Sequence, residues 1–335
     1  MRRLALVAVV CLGLASCSPT QDQGHVVAAI GNSAIIPNLD AAVTGFENLD
    51  AAVTVYCNEP GTETLIDARE AWVEAKSLWE PAQANTFFDS GRDAQTVSKV
   101  DHDPASSNDI EQLLESDVVI DSNYVADEAT PAQRGLGTME FLLFDREDSD
   151  ERSCNLLEGA SIVALGAVRE LRDDWTNTYD GLAPFIDQYT EEKSDREALG
   201  DTIGAIAETL RRQTTFAASG SDLRPEMLEE GPAGAGAMTY LAQLQGIESW
   251  LTAGEETSLL ELIRTESVDV AGEIEASLHG AFAILETMDE PLKRLAIDDP
   301  ERLWLLHEHL DNLRVLFEGD VVNLLDLTGS SRNTQ

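Results

Sequence analysis

The chain has 335 residues, 43% of them hydrophobic but only 6% aromatic, with 62 Asp and Glu against 22 Lys and Arg and a formal charge of −40. That length holds one large domain or two modest ones, around a core that must be mostly aliphatic. Nucleic acid is excluded as a partner, because neutralising phosphates needs a basic patch and none is visible; the acidic balance marks a solvated surface and does not by itself locate a metal.

Residues 1–17, MRRLALVAVVCLGLASC, form a secretory signal: two arginines, a short apolar run and a small-residue end. The run is too short and wrongly flanked for a stable membrane span. Leu14 to Cys17 resembles the lipobox of bacterial lipoproteins, in which the cysteine thiol takes the lipid. Cys17 is therefore expected to become the acylated first residue, with ordinary secretion and a chance cysteine as the alternative. Loss of Arg2 and Arg3 would take the charge from −40 to −42, and so acidic a body needs the lipid to stay on an anionic membrane. Ser18 resembles the residue at this place in lipoproteins sent on to the outer membrane, which puts the protein in the bacterial envelope, facing the periplasm. Cys11 leaves with the signal. In an oxidising compartment the remaining Cys57 and Cys154 are expected to form one disulfide; two free buried thiols are the alternative, and a two-cysteine metal site lacks nearby ligands.

A tether over residues 18–35, most polar up to about residue 25, leads into the helical part. Ile36, Leu39, Val43, Phe46, Leu49, Val53 and Tyr56 recur every three or four positions, the stripe of an amphipathic helix that NEPGT ends. Leu65, Ala68, Trp72, Ala75 and Trp79 give a second helix up to Pro81, and residues 82–108 read as a long irregular connection carrying VDHDP. Short helical pieces are expected over 109–128. Thr130, Pro131 and Gln133 then have the pattern of a capped helix start.

That start introduces TPAQRGLGTMEFLLFDRED, Thr130 to Asp148. Read as a helix, it sets Glu140 on an apolar face between Leu136 and Phe144, where an unpaired charge costs several kcal/mol or more. Three readings follow. Glu140 caps backbone N–H groups freed at the glycine-broken helix entry, or pairs with a base such as Arg134. Or it is one ligand of a cation or ligand pocket between helical bundles. Or it is the base of a hydrolytic site. Asp101, His102 and Asp103 are hard and imidazole ligands that could complete a shell around Glu140, although DHDP equally suits a turn before proline.

After the acidic run at 145–152, helical stripes continue through Ala160–Trp175, Leu199–Leu210, Leu241–Leu251, Ile263–Leu285 and Leu303–Phe317, ending in VVNLLDL. GPAGAG, before Leu241, reads as flexible linker. His307 and His309 lie about 200° apart on an ideal helix, too far round to share one ion. His307 with Asp311 has cation-binding spacing, yet boundary residues are the expectation; His25 and His279 have no partner pattern. No nucleophile elbow, His-Glu-x-x-His, phosphate-cradling loop or haem-attachment motif occurs. With no alternating strand pattern of useful length, the fold class is all-α: roughly nine or ten helices in two packed antiparallel bundles, 36–148 and 149–329.

In this order the pieces resemble the imelysin-like family of bacterial envelope proteins. The resemblance rests on IPNLDAAVTGFENLDAAVTVYC with AREAWVEAKSLW, on RGLGTMEFLLF with ERSCNLL, and on LDNLRVLFEGDVVNLLDLTG, spanning Ile36 to Gly329. It implies an all-helical fold of two pseudo-symmetric bundles and a Gly-x-His-x-x-Glu motif proposed to bind metal. Gly135 and Glu140 match that motif, whereas Gly137 stands where the histidine belongs. The resemblance also implies a binding role around iron or another divalent metal, or a metal-carrying ligand. A metallopeptidase with a replacement ligand set and a scaffold with a vestigial motif are the alternatives.

Overall fold

A computed structural model describes residues 23–83, 91–102, 105–146, 150–178, 184–192, 194–217, 223–228, 230–288 and 290–327. The signal, Cys17 and Asp103 lie outside the described residues. Among those described, the chain is helical throughout, with one isolated β-bridge between Ala217 and Leu223.

Helix α1 (Gln23–Ile30) passes through a π-helical turn at Gly31–Ile35 into α2 (Ile36–Asn58), and α3 (Thr62–Gln83) returns along it. The stretch expected to be a tether is thus structured from residue 23. Val26, Val27, Ile30 and Ile35 are fully buried, because α1 packs on helices from the far end of the chain. By length and composition the continuous helix over 23–58 would suffice to cross a membrane, yet its apolar stripe from Val26 to Val53 is packed inside the fold.

Next come α4 (Gly91–Val100), α5 (Ser107–Glu115), α6 (Ser122–Asp127), α7 (Gly135–Glu140) and the long α8 (Glu151–Thr176). The expected irregular connection over 82–108 therefore contains a regular helix. Among its residues whose side chains are described, 96–100, Thr96 and Val100 are buried, too little apolar pattern for the sequence to reveal. Thr130 and Gln133 do form a capping box, but it opens a single 3-10 turn, and α7 starts afresh at Gly135.

The second half holds α9 (Phe185–Asp187), α10 (Asp195–Gln213), α11 (Gly236–Thr252), α12 (Leu259–Glu266), α13 (Val268–Leu285), α14 (Leu292–Asp298), α15 (Pro300–Val315) and α16 (Val322–Leu324). Short polar side chains accept the free N–H groups at many helix starts, among them Asp121, Asp150, Ser194, Ser258, Ser267 and Asp299. Ser267 splits into α12 and α13 what the stripe from Ile263 to Leu285 suggested was one helix.

One group of helices is α2, α3 and α8 with α4, α6 and α7; the other is α10, α11, α13 and α15 with α1 and α12, and α3 against α11 joins them. By packing, α8 belongs to the first group, so the change of bundle follows α8 and does not fall at the acidic run of 145–152. A disulfide between Cys57 and Cys154, with Cα atoms 5.4 Å apart, ties the end of α2 to the start of α8.

Candidate functional site: a cleft at Glu140

Gly135 sets the geometry of α7. Its φ is +74°, and a Cβ there would lie 2.6 Å from the Val100 carbonyl oxygen, so the turn into α7 takes glycine alone. The helix is then fixed against α3: the Trp72 indole N–H donates to the Leu136 carbonyl at 3.0 Å and Arg69 donates to the Leu143 carbonyl at 2.6 Å. The Arg69 guanidinium also lies over the Phe144 ring. Arg134 donates to the Ala126 carbonyl and the Ser98 hydroxyl, and burial lowers its pKa.

Glu140, the last residue of α7, reaches across to the other half. Its Oε1 accepts the backbone N–H of Ala233 at 2.9 Å, and a Cβ at Gly231 would overlap both carboxylate oxygens. The structural reading made from the sequence expected backbone N–H groups at the helix's own entry, or Arg134. One partner is the GPAGAG segment, 93 residues further on, which the sequence suggested was only linker. A π-helical turn, Phe141–Asp145, follows Glu140 directly; such turns inserted in helices are frequent at functional sites.

Glu140 lines a cleft of about 530 Å³. Gly137, Phe141 and Asp145 form one wall; Arg212, Glu226, Met227, Gly231, Pro232 and Lys293 are on the other. The Glu230 carboxylate accepts the N–H groups of Leu292 and Lys293 at 2.6 and 2.7 Å, closing the far end. A recess of about 30 Å³, room for about one water, leads inward past Gly137 and Glu140 to Lys76 and Asp101.

Behind the recess lies a buried polar chain. The Lys76 ammonium sits 2.6 Å from Glu80 and 2.8 Å from Asp101. Gln243 donates to Glu80 at 2.7 Å, and Gln213 donates to Gln243 at 2.8 Å. These five residues, from α3, the end of α4, α11 and α10, are all 9% exposed or less. Sequence reasoning missed the chain. Its one signal was a Lys-Glu pair four apart on the same helical stripe as Trp72 and Trp79.

Of the weaker candidates, Asp101 lines the recess with Glu140 but is paired with Lys76, and His102 is exposed. A Cβ at Gly137 would meet Ala105 Cβ at 2.9 Å and the His102 carbonyl at 3.2 Å, so those two residues fill the room a side chain would need. His307 stacks on Trp304 and meets Phe216 edge-on, and burial pushes its pKa down. Asp311, its neighbour one turn on, is bound by Arg314 at 2.6 Å. Among the described residues no three His, Cys, Asp or Glu side chains converge as metal ligands.

Two helical groups meeting over a cleft, with the Gly-x-x-x-x-Glu helix at its mouth, define an imelysin-type helical protein. The imelysin family profile (peptidase family M75) matches residues 35–318, and the chain belongs to that family. Two solved structures share the fold. One is an iron-regulated protein A precursor from Parabacteroides distasonis ATCC 8503, 18% identical, covering 93% of this chain and 97% of its own, with TM-score 0.75. The other is an imelysin-like protein from Psychrobacter arcticum 273-4, 17% identical, covering 91% of this chain and 95% of its own, also at 0.75. No curated protein matches the chain significantly.

Proposed function

We propose that this protein is a lipid-anchored binding protein of the bacterial envelope, held on the outer membrane through Cys17 and facing the periplasm, whose cleft takes a ligand in iron or other metal uptake. The cleft carries this reading. Its volume of about 530 Å³ falls within the usual range for small-molecule sites, about 300–1,000 Å³, and it mixes apolar walls with a few polar groups. The metal connection is supported by the family and by the iron-regulated neighbour.

The described residues do not fit a bare transition-metal ion. Glu140 accepts a backbone N–H, Asp101 faces an ammonium, Gly137 has no side chain and no room for one, and His102 is exposed. A tightly held Zn or Fe needs three or four converging N, O or S donors. The cleft suits a metal carried inside an organic ligand better, and a metallopeptidase reading would need donors that the described residues do not assemble.

Calorimetric titration with ferric citrate and with free Fe(II) tests the reading. The chelate is expected to bind saturably, and Glu140→Ala, which unpins the 231–233 wall, to weaken it about tenfold or more. No saturable binding of either leaves the scaffold alternative. For the anchor, Cys17→Ser is expected to give a soluble exported product; a membrane-bound one removes the lipid from the proposal.

A further inference from the structure

The cleft is lined by two cations, Arg212 and Lys293, beside four carboxylates, Glu140, Asp145, Glu226 and Glu230. Most arginines of this acidic chain are bound to carboxylates or carbonyls: Arg69, Arg146, Arg152, Arg169, Arg172, Arg264 and Arg314 all have such partners. Arg211 pairs with both Glu208 and Glu318. Its neighbour Arg212, the cleft-lining residue of α10, has no hydrogen-bond or ion-pair partner for its guanidinium among the described residues. Lys293, on the same wall, donates its ammonium to the main-chain carbonyl of Glu230 and forms no ion pair with a carboxylate among the described residues. Glu230's own carboxylate is occupied by two backbone N–H groups, and Glu140 by the Ala233 N–H. Asp145 and Glu226 line the cleft as exposed acids.

We infer that Arg212 and Lys293 hold the anionic head of the ligand, a carboxylate or phosphate on a small organic molecule whose apolar body lies against Phe141, Met227 and Pro232. This deepens the cleft reading and rests on it. A guanidinium offers paired N–H donors matched to a two-oxygen anion, and an ammonium adds a point charge beside it. The rest of the surface repels anions, so specificity for one must come from cations placed locally, and this wall supplies two beside the exposed Glu226. Helix stability does not account for both. Arg212, in the last turn of α10, complements the helix dipole, but Lys293 sits in the first turn of α14, where a cation is disfavoured.

The probes are benzoate, phenyl phosphate and benzylammonium, titrated calorimetrically into the mature protein. At least one anion is expected to bind, and Arg212→Gln and Lys293→Gln each to weaken it about tenfold or more, with thermal midpoints unchanged. The better of the two anions identifies the head group. Anion binding that both variants leave intact overturns the inference and leaves the cleft reading standing. So does binding of benzylammonium alone. If none of the three binds, the inference fails, while the ferric citrate titration decides the cleft reading separately.

Discussion

At Gly135 the backbone leaves no choice of residue, since positive φ and the Val100 carbonyl at 2.6 Å from any Cβ act together. Gly135→Ala is expected to lower stability by about 2–3 kcal/mol, measured by denaturant unfolding, because left-handed strain and a backbone clash add. His307 gives a pH signature. Burial depresses its pKa below the ordinary 6.5, so the unfolded chain binds the proton more readily than the folded one. Stability from this group is complete above about pH 6.5 and falls as pH drops from there through the depressed folded pKa. Unfolding of wild type and His307→Gln from pH 5 to 7.5 should show the steeper slope in the wild type. Glu140 was legible as the residue to question, because a carboxylate interrupts an apolar stripe. Its partner was not, because Ala233 offers only a backbone N–H from a glycine-rich loop, and no sequence pattern encodes that contact.

The long helices, α2, α3, α8, α10, α11, α13 and α15, were readable from period alone, since each buries a stripe of aliphatic residues wide enough to stand out. Those that escaped are short or polar. Helix α4 is one such case, and α14, where Leu292 and Leu295 supply the whole buried face, is another. Helix α1 was hidden for a different reason: its short apolar run follows a polar stretch and reads as tether until its neighbours on α10, α11 and α12 are known. Between elements, the chain from Lys76 to Gln213 couples the two groups of helices through buried polar contacts in addition to apolar packing. Lys76→Met strands two buried carboxylates and is expected to cost about 3–5 kcal/mol. Replacing Lys76, Glu80 and Asp101 together by apolar residues of similar size should recover most of that loss. A triple variant as unstable as the single one would show that the three do not act as a charge cluster.

On the scale of the whole molecule, a charge of −40 pushes the surface apart, so the unfolding midpoint should rise as salt increases from about 10 to 150 mM, over which the screening length shortens from about 30 to 8 Å. The all-helical class and its two groups could be read from the sequence. Where the groups divide could not, because α8 returns to pack on α2 after the acidic run, and only contacts reveal that. The Cys57–Cys154 bridge spans 97 positions, and its reduction, or Cys57→Ala with Cys154→Ala, is expected to remove about 4 kcal/mol. A denaturant midpoint indifferent to reductant would contradict this. Helices α3 to α7, and so the Glu140 wall, lie inside the ring that this bond closes, whereas Arg212, the 226–236 segment and Lys293 lie outside it. The cleft therefore has a welded jamb and an unwelded leaf, the leaf latched to the jamb at Ala233. Oxidation therefore restrains the jamb directly and the leaf only through that latch.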